Sequence, residues 1–98
     1  MLVMLAYDVP ETKDQTFLRK EFERLGGVRV QYSIYLFRGE PHECERVIRQ
    51  MQRAAAGIEG DIRLIPMDEG TWDAQIIISE VTENRQRIVE FSQSVIFW

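Results

Sequence analysis

Residues 1–10 read MLVMLAYDVP, and over residues 2–7 apolar side chains occupy both sets of alternating positions rather than one. A strand that is apolar on both faces must be covered by protein on both sides, which is the pattern of a central strand. Asp8-Val9-Pro10 ends it. Downstream, Thr12 with Gln15 three residues later reads as a capping box. Phe17, Leu18, Phe22 and Leu25 then recur at helical spacing until Gly26-Gly27, so the spacing predicts a helix over residues 13–25.

Residues 28–37, VRVQYSIYLF, are β-branched and aromatic without helical period. They form either one bent strand or two short strands joined near residues 31–33. Pro41 suits a helix start, and Cys44, Val47, Ile48, Met51 and Ala55 mark an apolar stripe that ends before Gly57 and Gly60. Residues 61–67, DIRLIPM, alternate like a strand, and Pro66 assigns it to an edge because proline cannot donate to a ladder. Residues 68–73 read as a turn and residues 74–79, AQIIIS, as a further strand. Residues 80–93 carry no clear period, and the stretch 94–98, SVIFW, is apolar from Val95 up to the last residue.

The order is the β-α-β-β-α-β plan of an α+β domain, with both helices on one face of an antiparallel sheet and an extra C-terminal strand. At 98 residues the chain is expected to form a single domain, 1–98. An exposed Ile96-Phe97-Trp98 would be an aggregation hazard. Residues 80–98 are therefore expected to serve dimerisation, packing on or adding a strand to a second copy; the alternative is that they fold back on their own sheet.

The apolar fraction, 45%, supports a packed core rather than disorder. A single cysteine, Cys44, excludes an intramolecular disulfide and any multi-cysteine zinc cluster. The apolar run at residues 1–7 is too short to span a bilayer and lacks the marks of a signal peptide, so the expected location is the cytoplasm, with no membrane partner. Sixteen acidic and twelve basic residues give a net charge of −4. That sign excludes phosphate binding over the whole surface and confines any nucleic-acid role to a local basic patch.

Asp8 is the clearest chemical candidate, a carboxylate displayed after a buried strand and before a helix. Magnesium keeps several waters and takes one or two carboxylates besides substrate phosphate. A two-fold dimer that paired Asp8 with its copy would supply two. The plainer reading makes Asp8 a turn or N-cap residue. The basic residues are grouped: Arg19, Lys20 and Arg24 on the first helix, Arg29 and Arg38 at the ends of the next strand, and Arg46, Arg49 and Arg53 along one stripe of the second helix. The stripe is either a solvated face neutralised by Glu43 and Glu45 or, doubled in a dimer, a track for a duplex backbone. Tyr7, Tyr32, Tyr35 and Phe37 suit base stacking or, more commonly for strand aromatics, a core. His42 has no second histidine to pair with, and Cys44 reads as a small core residue. No phosphate-binding glycine loop, nucleophile elbow or zinc spacing occurs, so hydrolysis would have to be metal-assisted.

Three pieces in order, MLVMLAYDVP, GGVRVQYSIYLF and DIRLIPM, resemble the second core CRISPR-associated protein family, the small partner of the spacer-acquisition integrase. The middle piece is the most specific, and the resemblance covers about the first two thirds of the chain. It implies a ferredoxin-like homodimer that binds double-stranded DNA with the CRISPR integrase subunit, and, as in several members, a nuclease activity dependent on Mg2+ or Mn2+. By position, Asp8 matches the family's metal-binding aspartate and Tyr7 its neighbour. Arg29 and Ser33 match polar positions of the second strand, and Arg63 matches the arginine of the third motif. The loop at residues 9–14 has a single basic residue where the family often has several, and residues 68–98 align with no motif.

Three functions follow as expectations. In the first, Asp8 holds the metal of an endonuclease acting on single-stranded RNA or duplex DNA, Arg29 and Ser33 orient the phosphate, and Tyr7 with Arg19, Lys20, Arg24, Arg46, Arg49 and Arg53 contacts nucleic acid. In the second, the dimer is a DNA-binding scaffold without catalysis. The third is a small-ligand regulatory module, which leaves the R-V-Q-Y-S-I match unexplained.

Overall fold

The computed structural model describes residues 1–31 and 34–78. Strand β1 (Leu2–Asp8) leads into helix α1 (Thr12–Arg24), followed by β2 (Val28–Gln31), β3 (Ile34–Arg38), helix α2 (Pro41–Ala54), β4 (Asp61–Met67) and a short helix α3 (Glu69–Asp73). The sheet order is β2-β3-β1-β4, with β1 antiparallel to both β3 and β4 and β3 antiparallel to β2. Two split β-α-β units interleave in this order, which is the ferredoxin-like plait the sequence implies. Among the described residues β1 is central, and β4, which carries Pro66, lies at an edge as expected.

Both helices cover one face. Val3 and Leu5 of β1 and Tyr35 and Phe37 of β3 form a core there with Leu18 and Phe22 of α1 and Cys44, Val47 and Met51 of α2. Burying each such side chain contributes about 1.5–3 kcal/mol. The alternate residues of the same strands, Leu2 and Leu36, meet Val30 and Trp72 in a second cluster on the opposite face. β1 is thus apolar on both sides because both sides are covered.

Residues 28–38 are two short strands, the second of the two readings above, and they pair antiparallel with each other; a bulge between Arg29 and Gln31 shifts their register. Val30 is the extra residue, and it drops into the second cluster. The Thr12–Gln15 capping box does not form: the N-cap of α1 is Glu11, without a side-chain cap, and Gln15 Nε2 donates instead to the Val9 carbonyl at 2.6 Å. α2 is closed at its start by the Glu40 N–H donating to Glu43 Oε1 at 2.8 Å.

The stretch read as a turn at residues 68–73 is largely α3, because Asp68 accepts from the Thr71 N–H at 2.6 Å and Trp72 is buried. Arg38 ties the end of β3 to α3 through Glu69 at 2.9 Å. The strand expected from residue 74 is not found over the described residues 74–78. Strand-forming side chains need a paired neighbour, and Ile76 and Ile78 are instead largely exposed. Ser79 and the C-terminal segment 80–98, with the extra strand and dimerisation role expected of it, lie outside the described residues.

Candidate functional site

Asp8 is the last residue of β1 and is exposed. It does not cap α1, whose N-cap is Glu11. No hydrogen bond or ion pair engages its carboxylate among the described residues. The β1–β4 register sets Asp61 directly opposite, which places the two Cβ atoms about 4.5–5.5 Å apart. Asp61 is already clasped by Arg63, Nε donating to Oδ1 at 2.7 Å and Nη2 to Oδ2 at 3.0 Å. That hydrogen bond holds the Asp61 carboxyl below its ordinary range. No group of three or more metal-ligating side chains is found among the described residues. One free carboxylate beside a second suits the sparse protein donation that magnesium accepts when waters and phosphate complete its shell.

The backbone beneath Asp8 is fixed by two contacts. Gln15 holds the Val9 carbonyl, and Gly60, with φ +136°, packs so closely that a Cβ there would lie 2.8 Å from the Asp8 carbonyl oxygen and 3.0 Å from Val9 Cα.

Strand alternation turns Asp8 and Tyr7 to opposite faces. Tyr7 faces the helices and stacks on Tyr35, ring centroids 6.2 Å apart and 17° between planes. Tyr35 is 1% exposed; burial first, and then the neighbouring Tyr7, push its phenol up to about 12. Arg29 stands opposite Tyr35 in the β2–β3 register. These three line a cavity of about 170 Å3 whose other wall is α1. There Thr12, Thr16 and Arg19 face it, with Gln15.

The structure therefore brings Tyr7, Arg29 and Arg19 together, and sets Asp8 on the other side of the sheet. Ser33 and Tyr32 lie outside the described residues. Tyr35 and Phe37 are core residues and present no stacking surface. Of the helix cations, Arg19 pairs with Glu23 at 3.2 Å, Arg24 with Glu21 at 2.9 Å, and Arg49 with Glu45 at 4.0 Å. Lys20, Arg46 and Arg53 are exposed, and no ion pair engages them among the described residues. His42 is exposed on α2. The buried Cys44 thiol sits 3.7 Å from the carbonyls of Met1 and Gly39, and burial raises its pKa, so it is an unreactive core group. Sequence reasoning missed Asp61 and the threonines of α1; the first is a product of register and the second of helix docking, and neither leaves a local pattern.

An antiparallel sheet of order β2-β3-β1-β4 with two helices on one face defines a ferredoxin-like α+β domain. The family model described as CRISPR associated protein Cas2 matches residues 1–75. That span includes every element described above, and the chain belongs to the Cas2 family. Membership assigns it a role in CRISPR adaptation. No curated protein matches the chain. Among the described residues no helix is long and apolar enough to cross a membrane.

Proposed function

We propose that the protein works in CRISPR adaptation as a homodimer that holds duplex DNA together with the CRISPR integrase subunit, and that Asp8 makes it a metal-dependent phosphodiesterase acting on DNA or RNA. The observation that carries the catalytic reading is the exposed carboxylate of Asp8, which among the described residues neither caps a helix nor pairs with a cation. Asp8 from each copy would hold the metal, Mg2+ or Mn2+. A bound ion of this kind supplies positive charge at the phosphoryl oxygens and a hydroxide nucleophile at neutral pH. The chain's own part is positional: Gln15 and Gly60 fix the backbone that carries Asp8, and Arg63 keeps Asp61 occupied, so that Asp8 is the available ligand.

The cations Lys20, Arg46 and Arg53 support a second reading, a scaffold without catalysis. Exposed, and without an ion pair among the described residues, they are placed to neutralise phosphates in a sequence-independent manner. The regulatory-module reading draws no support from the family match.

The deciding experiment incubates wild-type protein and Asp8→Ala, with and without magnesium, with labelled single-stranded RNA and duplex DNA, following cleavage and retention together. Magnesium-dependent cleavage lost in the variant supports the enzyme. Retention of duplex by both proteins with cleavage by neither supports the scaffold and ends the catalytic reading.

A further inference from the structure

The cavity under α1 has no part in the chemistry assigned to Asp8, and it is built unlike the rest of the surface of this acidic chain. Its walls carry two arginines, Arg19 and Arg29, two threonine hydroxyls and two phenols, and among the described residues no Asp or Glu lines it. Every one of these polar groups can donate a hydrogen bond, and the guanidinium groups can only donate. A concave site made of donors and positive charge selects an anion with several acceptor oxygens. At about 170 Å3 the space equals the share of roughly five or six waters in the liquid. That is room for a tetrahedral oxyanion with a water or two, and it falls short of the ~300 Å3 at which drug-sized sites begin.

We propose that this cavity is a binding site for a phosphoryl group, held by the guanidinium groups of Arg29 and Arg19 and by the hydroxyls of Tyr7, Thr12 and Thr16. Arg29 is anchored at the floor, half-buried beside Tyr35. Arg19 closes the rim from α1; its contact with Glu23 uses one nitrogen, Nη1, and leaves further N–H groups for the anion. The Gln15 amide already donates to Val9 and acts as wall. Tyr35 remains a neutral phenol far above neutral pH, so the floor adds no negative charge against the ligand. The phosphoryl group comes either from free phosphate or from the terminal phosphate of a nucleic acid strand, either of which brings more charge and more acceptor oxygens to two guanidinium groups than an internal phosphodiester does.

The test is calorimetric titration of the full chain, without divalent metal and with no cleavage step, so that its outcome is independent of the chemistry at Asp8. Inorganic phosphate is titrated against chloride at matched ionic strength. A short oligonucleotide bearing a 5′-phosphate is then titrated against its 5′-hydroxyl counterpart. Saturable phosphate binding is expected, weakened on the order of tenfold or more in Arg29→Gln, as for a charge-assisted hydrogen bond. Tyr7→Phe combined with Thr16→Val removes two hydroxyls with little change of volume and is expected to weaken binding as well, which keeps the test open if Arg29→Gln fails to fold. Preference for the 5′-phosphate strand, displaced by free phosphate, identifies a strand end as the source. Binding of free phosphate alone identifies a small-anion site. Absence of saturable phosphate heat in the wild type, or affinity unchanged in the hydroxyl variant and in folded Arg29→Gln, overturns the proposal.

Discussion

Asp8 and Asp61 stand directly opposite each other at the end of the β1–β4 ladder, two carboxylates of which, among the described residues, only Asp61 is paired with a cation, Arg63. Like charges in this position destabilise a sheet, less so where one of them is paired and both face solvent. Asp8→Ala is therefore expected to leave the urea midpoint unchanged or to raise it, while abolishing magnesium-dependent cleavage. A fall in stability beyond about 1 kcal/mol would show that Asp8 has a structural role, and any lost activity could then be ascribed to unfolding.

Tyr35 links stability to alkaline pH. Its folded pKa of about 12 lies above the ordinary 10.0, so the folded state retains a proton that the unfolded chain releases between these values. The stabilisation is full below pH 10 and is lost as pH rises toward 12. Wild-type protein should unfold more readily across that window, and Tyr35→Phe should flatten the decline. Thermal melts at several pH values, with the ultraviolet absorbance of ionised tyrosine followed in parallel, measure both effects.

Phe22 is fully buried and meets Tyr35 edge to face, centroids 6.3 Å apart. Phe22→Ala should cost about 3–5 kcal/mol. Gly27→Ala should cost about 1–3 kcal/mol by the opposite route, since a Cβ at Gly27 would overlap the Phe22 ring. Chemical denaturation checks both. The pair should also be non-additive, because the smaller side chain at 22 admits the methyl at 27.

Arg46 and Arg53 are the cations of α2 without an ion pair among the described residues, whereas Arg49 has Glu45. Arg46→Glu and Arg53→Glu should each weaken duplex retention at all sequences alike. Each should also reduce the slope of log affinity against log salt by about 1 or more. Arg49→Glu should have a smaller effect. Equal effects at all three positions would mean that net charge, rather than which cations are unpaired, governs binding.

The parts of this fold that were legible in the sequence are those written locally. The two-sided apolar pattern of residues 2–7 marked the central strand, Gly26-Gly27 marked the end of α1, the stripe from Cys44 to Met51 marked α2, and Pro66 marked an edge. What escaped depends on partners distant in sequence. Val30 looks like any strand residue until the β2–β3 register makes it a bulge. Residues 74–78 have strand-forming side chains but find no ladder among the described residues. Asp8 was visible as a displayed carboxylate, whereas its neighbour Asp61 and the cavity that gathers Arg19 with Arg29 exist only once the sheet and α1 are assembled.

Gly60 contributes no functional group, yet it governs where the Asp8 carboxylate sits, because a side chain at this one position of the α2–β4 connection would displace the end of β1. A substitution there would register in an activity assay as a chemical defect although no reacting atom had changed. The working part at residue 60 is a vacant volume, one hydrogen wide, and the tolerance of the site for variation is set by geometry at a position that no inventory of acids, bases and ligands would include.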